Sequence, residues 1–140
     1  MYPGGVEQRA ADIEAGAGRS AAELVADVTA ACAALEAGFD SIDEAAWAEG
    51  RGSAFGNERP VRVLPFIRRR ETEVHLADMG LRAFSFEDWS DDYVAEELRR
   101  QQDQRGGLPA GADTLAPKRR LAWLLEREVV PELGAPGAWT

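Results

Sequence analysis

The chain is poor in the residues that most often carry chemistry. Among its 140 residues there is a single cysteine, Cys32, and a single histidine, His75. One cysteine excludes an intramolecular disulfide, and one histidine excludes any zinc site built from this chain's imidazoles alone. No run of about 18 apolar residues is present, and the opening segment MYPGGVEQRAADIE is neither basic nor apolar like a secretory leader. The expectation is therefore a cytoplasmic protein without a membrane span. Positive charge is also scarce: 16 Lys plus Arg face 25 Asp plus Glu, for a net charge of −9. Such a field repels a phosphate backbone, which argues against a nucleic-acid partner. The compact basic run Arg68-Arg69-Arg70 runs straight into Glu71 and Glu73 and reads as a solvated helix flank. Phosphate-cradling glycine loops, CxxC pairs and G-x-S-x-G elbows are all missing.

What remains is ordinary for a globular chain: 45% hydrophobic, 29% charged and 8% aromatic residues. At this length folding buries roughly two-thirds of the unfolded surface, so one helical domain over residues 1–140 is the expectation. Abundant alanine favours helix throughout. A short helix is expected from Val6 to Glu14, before Gly16 and Gly18. Ser20 and Glu23 then form a capping-box pattern. Behind it Leu24, Val28, Cys32, Leu35 and Phe39 recur at spacings of four and three, predicting an amphipathic helix that ends near Gly38 with this stripe inward. From Asp40 to Pro60 the chain reads as a long connection anchored by Trp47 and Phe55. A helix from Val61 or Pro65 stops at Gly80, and an aromatic connection runs from Leu81 to Trp89. Ser90 caps a further helix through Tyr93, Val94 and Leu98, followed by a loop from Gln101 to Gly111. Pro117 opens a last helix, with Leu121, Leu124, Leu125 and Val129 inward, that Pro131 ends.

The helix ending at Gly80 carries the most informative pattern. Leu64, Ile67, Glu71, Val74 and Asp78 repeat at three and four, and His75 lies one turn beyond Glu71. That stripe is expected to face the core, which would desolvate Glu71 and His75 together. A divalent metal satisfies a carboxylate and a neutral imidazole at once, whereas a Glu/His ion pair or an exposed helix pair explains the spacing equally well. A catalytic zinc site usually takes three protein ligands, so a third would come from Cys32, from Asp78 or from another chain. Cys32 itself reads as a small buried hydrophobe, and a Cys/His nucleophilic pair lacks an orienting group.

The string Arg70 to Gly80, RETEVHLADMG, resembles the R-E-x-E-V-H-x-x-D-L-G signature of the mycothiol-dependent maleylpyruvate isomerases, members of the DinB/YfiT-like superfamily of metal-binding helical bundles. The opening MYPGGVEQRAADIEAGAGRSAAELVADV is similar to that family's mid-domain segment, and Asp88-Trp89 with the helix after it resembles its D-W element. LAWLLER, Leu121 to Arg127, is similar to a W-L-x-G-R motif, with Glu126 standing where the family has glycine. The resemblance implies an all-α, DinB-like up-down bundle with long irregular loops, N-terminally incomplete because the family's first helix and its metal-binding histidine precede the point matching Met1. It also implies a zinc-type divalent metal held by Glu71 and His75, mycothiol as thiol cofactor, and maleylpyruvate or a related electrophile as substrate. Asp78 would orient a ligand or the helix, and Arg127 would meet a substrate carboxylate. The implied reaction is reversible addition of a thiolate to a cis double bond, giving the trans isomer. A second reading follows from the incomplete bundle: a helical binding module that forms a homodimer across an exposed apolar groove, or a thiol S-transferase of the same superfamily.

Overall fold

Helix is the dominant structure, as the abundant alanine favours. The computed structural model describes residues 4–54 and 57–137, in which six α-helices and one two-stranded ribbon occur. None of those helices is long and apolar enough to cross a membrane. The chain divides into two compact units, residues 1–64 and 65–140.

In the first unit α1 spans Gly5–Gly16 and α2 spans Ala21–Asp40. The Ser20 box forms as expected: the Glu23 amide donates to Ser20 Oγ at 3.3 Å, and the Ser20 amide donates to Glu23 Oε2 at 2.8 Å. The inward stripe of α2 needs correction, since neither α1 nor α2 contains a buried residue. Leu24, Val28 and Leu35 are exposed, and Cys32 and Phe39 are half-buried. Only the C-terminal end of α2 is covered, where the Phe39 and Trp47 rings lie 5.9 Å apart. The 40–60 connection is more ordered than its composition suggests. Asp43 caps a short α3, Glu44–Glu49, by accepting from the Ala46 amide at 2.7 Å. An antiparallel ribbon follows, β1 (Arg51–Ala54) with β2 (Asn57–Pro60), in the register Arg51 opposite Pro60. Phe55, the other expected anchor, lies outside the described residues.

A 3-10 turn at Val61–Val63 leads into α4, Leu64–Asp78. From Pro65 onward the second unit holds a true core. Val74, Trp89, Tyr93, Val94, Leu121, Ala122 and Leu125 form one buried cluster, and Ala112, Trp123, Leu124 and Val130 form another. These come from α4, from α5 (Asp91–Arg105), from α6 (Pro117–Leu124) and from the segments after them. Both buried indoles are satisfied: Trp89 donates to Glu73 O at 2.8 Å and Trp123 to Gly134 O at 2.9 Å. Two boundaries and one cap differ from the sequence expectation. The α5 helix continues to Arg105, because Gln101 and Arg105 bond Glu97 and Gln101 along it (2.8 and 3.0 Å), and it ends at left-handed Gly106. Ser90 starts α5 without a side-chain cap bond; its hydroxyl donates instead to Glu73 Oε1 at 2.6 Å and accepts from Arg69 at 2.8 Å. The α6 helix stops at Leu124, well before Pro131, so Val129 is exposed and Val130 is buried in its place.

The inward face of α4 is the main correction. Its side chains against the core are Phe66, Val74 and Ala77, with Arg70 and Glu73 between them. This stripe is rotated by about one residue, roughly 100°, from the expected one. Polar groups on α5 draw it there. Arg70 pairs with buried Glu97 at 2.9 Å, Ser90 holds Glu73, and Phe66 stacks on Tyr93 with ring centres 6.4 Å apart. Arg100 lies over the other part of that stack, 3.8 Å from the Phe66 ring centre. Burial, ahead of the opposing hydrogen bond from Gln101 and the charge of Arg70, raises the Glu97 carboxyl above its ordinary 4.5.

Two outcomes follow for this pair. Glu97→Leu or Arg70→Met alone leaves one buried charge without its partner and should cost about 3 kcal/mol, while the double variant should lose clearly less than either single change. Urea denaturation of the three variants measures this. Because the folded-state pKa of Glu97 is raised, its contribution is largest below 4.5 and declines as pH climbs through the raised value. The stability gap between wild type and Glu97→Gln should therefore shift against the wild type as pH rises toward neutrality.

Candidate functional site

The last two turns of α4 project Glu71, His75 and Asp78 from the flank of the helix away from its core stripe, and Gly80 closes the helix with φ +63°. His75 Nε2 lies 3.3 Å from Glu71 Oε2, and His75 Nδ1 lies 3.0 Å from Asp78 Oδ2. Asp78 is in turn gripped by two guanidinium N–H groups of Arg127, Nε to Oδ1 at 3.0 Å and Nη2 to Oδ2 at 2.9 Å. The four side chains thus form a row in the order Glu71, His75, Asp78, Arg127.

Arg127 reaches this row because of how α6 ends. Glu126 takes a left-handed backbone, φ +61°, the only non-glycine residue among those described to do so. Its amide donates to Trp123 O at 3.0 Å, and the Arg127 amide donates to Ala122 O at 2.8 Å, which is the Schellman closure of a helix. A glycine would adopt that backbone freely, whereas a side chain there costs of order 1 kcal/mol. The turn directs Arg127 back toward α4, where its Nη1 also donates to Leu125 O at 2.6 Å. The hydrogen bonds from Arg127 hold the Asp78 carboxyl below its ordinary 3.8 against the opposing effect of burial, with His75 adding a smaller pull; Asp78 raises Arg127 in return.

The expected burial of the Glu/His pair is overturned. The side chains of Glu71 and His75 are 46% and 63% exposed. Neither charge is desolvated, so neither requires a counter-ion in order to exist, and the dry-interior argument for a metal fails. The cause is the rotation of α4 just described. The two carboxylates still constrain the ring. A carboxylate only accepts, so Asp78 at the shorter distance takes the Nδ1 proton, and the Nε2 lone pair of a neutral ring then faces a second acceptor, Glu71 Oε2. Both contacts are satisfied together only by a doubly protonated ring or by a cation at Nε2. The donors fit a zinc-type ion in kind, one carboxylate oxygen and one imidazole nitrogen. They fall short in number, since among the described residues no group of three His, Cys, Asp or Glu side chains could hold a metal. Asp78 is turned to Nδ1 and Arg127, and half-buried Cys32 belongs to the first unit.

The arrangement is that of a helical protein presenting one orientated histidine between two carboxylates. A family model described as the mycothiol maleylpyruvate isomerase N-terminal domain matches residues 1–80, and the chain belongs to that family. The matched span contains Glu71, His75 and Asp78, while Arg127 lies beyond it. No curated protein and no solved structure matches the chain.

Of the residues singled out from the sequence, the structure brings Glu71, His75, Asp78 and Arg127 together. The contact between Asp78 and Arg127 spans 49 positions and joins α4 to the turn after α6, which no local periodicity relates. It was accessible only through the motif resemblance, which named both residues without pairing them. As a partly exposed bidentate pair it should contribute about 1 kcal/mol, solvent screening included. The sign of its pH dependence is set by the lowered carboxyl: its contribution is complete above 3.8 and is lost as pH falls through the lower folded-state value. Denaturation midpoints of wild type and Asp78→Asn should therefore differ by a constant amount from neutrality down to 3.8 and converge below it, and Arg127→Met should behave alike.

Proposed function

We propose that Glu71 and His75 supply two ligands of a divalent metal, zinc by donor type, in a cytoplasmic, mycothiol-dependent isomerase acting on maleylpyruvate or a related cis-unsaturated acid. The observation that carries this reading is His75 Nε2 set 3.3 Å from Glu71 Oε2, in a chain of the mycothiol maleylpyruvate isomerase family. When bound, such an ion would lower the pKa of a neighbouring thiol, and mycothiol would bring the sulfur whose reversible addition makes a double bond rotatable. The remaining ligand would come from outside the set described above.

The chain's own residues have separable roles in this reading. Asp78 accepts from Nδ1 and fixes the ring with Nε2 toward Glu71. Arg127 holds Asp78 in that pose, which makes it a positioning residue for the ring in addition to the expected partner of a substrate carboxylate. Glu71 supplies the anionic oxygen beside Nε2.

Elemental analysis of the purified chain tests the metal directly. One equivalent of metal is expected in the wild type and little in Glu71→Ala or His75→Ala, with about tenfold weaker retention in Asp78→Asn. Metal that is absent from the wild type, or equal in all four proteins, sinks the proposal. Loss of maleylpyruvate absorbance is expected only when mycothiol is added; turnover without the thiol contradicts the mechanism. If a thioether product accumulates in place of the trans isomer, the thiol S-transferase reading replaces the isomerase.

A second reading rests on the exposed stripe of α2, where Val28 is 61% and Leu24 44% accessible, together with the short donor count. It is a non-catalytic helical module that self-associates through this stripe. Light scattering should then give twice the monomer mass, and Val28→Asp should return the monomer. A monomer at all concentrations rejects this reading.

A further inference from the structure

The seam between α4 and α5 buries two oxygens that have no hydrogen-bond partner among the described residues, Tyr93 Oη and Glu97 Oε2. Tyr93 is fully buried and Glu97 is 1% exposed, so bulk solvent reaches neither. One helical turn separates the two residues on α5, and both side chains meet α4, Tyr93 at the Phe66 ring and Glu97 at Arg70. The other carboxylate oxygen is occupied: Gln101 Nε2 donates to Glu97 Oε1 at 2.8 Å, and Arg70 Nη2 lies 2.9 Å from it. Oε2 is thus an acceptor that lacks a donor. The phenol is its complement. Burial above all, with the charge of Glu97 adding to it, raises the Tyr93 hydroxyl above its ordinary 10, so it keeps a proton to give. The two groups do not bond each other, and a buried polar group left alone is costly.

We propose that Tyr93 Oη and Glu97 Oε2 hold one buried water molecule, which accepts from the phenol and donates to the carboxylate. Chemistry and size select this ligand. The occupant has to accept on one side and donate on the other, and water does both. An alkali ion would leave the phenol proton without an acceptor and would lie near the Arg70 guanidinium, while an anion would meet the charge of Glu97. Side chains closed to solvent to this extent leave no entry for a larger molecule. The site belongs to the seam whose polar contacts set the rotation of α4, so the water helps to keep Glu71 and His75 on the outer flank of that helix. It does not rest on the metal proposal, because neither Tyr93 nor Glu97 is part of the Glu71–His75–Asp78–Arg127 row.

A high-resolution crystal structure of the chain tests occupancy: one peak is expected at roughly 2.7–3.0 Å from both Tyr93 Oη and Glu97 Oε2. Substitution supplies a sign. An orphaned phenol would be a burden, so Tyr93→Phe would leave the protein as stable as before or more so; a hydrated one contributes, and Tyr93→Phe should then lower the folding equilibrium constant in urea denaturation about fivefold. In a Glu97→Leu background, where the water has lost its acceptor, the same change should cost nothing. If Glu97→Leu does not fold, the wild-type map and the sign of Tyr93→Phe decide alone. The proposal is overturned by a map without a peak between the two oxygens, by a direct bond between them, or by anomalous scattering at that point after soaking in a rubidium salt. It is equally overturned if Tyr93→Phe is no less stable than the wild type, or if its cost is undiminished beside Glu97→Leu.

Discussion

Which way α4 faces is decided by the polar contacts it makes with α5 and with Trp89 and Ser90 just before it, and the candidate site of the second unit depends on that choice. Were apolar residues alone in control, Ile67 and Val74 would define the inward line and carry Glu71 and Asp78 with them. The bond from the Trp89 indole to Glu73 O, the Arg70–Glu97 pair and the Ser90 contact to Glu73 compete with that arrangement. Each satisfies a group that would be costly to bury alone, so together they outweigh the gain from inserting Ile67 more deeply. The helix turns, and the His75 row emerges on the outside.

This accounts for what the amino-acid order disclosed and what it concealed. Start and stop signals were legible because they are local: the Ser20 box, Gly80 after α4 and Pro117 at the first position of α6 each act through the backbone of their own turn. Helical character was legible for the same reason. Burial was not, because it is a property of pairs far apart in the chain. Glu97 and Gln101 look like surface residues on α5 and are almost completely buried, whereas Leu24 and Val28 look like core residues and are exposed. The ribbon between α3 and α4 was hidden by a composition typical of loops, since Arg51–Ala54 and Asn57–Pro60 pair through their backbones without a hydrophobic alternation to announce it.

For the candidate site the division is similar. The spacing of Glu71, His75 and Asp78 places them along one side of a helix, and this much is geometry that any reader of the chain can derive. Their environment is another matter. Arg127 enters from α6, and its approach depends on the left-handed Glu126 and on two amide bonds that reverse the chain. The carboxylate that orientates the ring of His75 is therefore held by a residue from the turn after α6, and the chemistry of the ring inherits the order of that turn.

Asp78 also occupies an awkward position for an acid. At the C-terminal end of α4 it faces unsatisfied carbonyls and the negative end of the helix dipole, which by themselves would loosen the final turn. The guanidinium from α6 offsets that repulsion. Fraying of residues 75–80 breaks this contact, so proton exchange at the Met79 and Gly80 amides, which bond to His75 O and Ala77 O, serves as a gauge of how firmly Arg127 holds the end of α4.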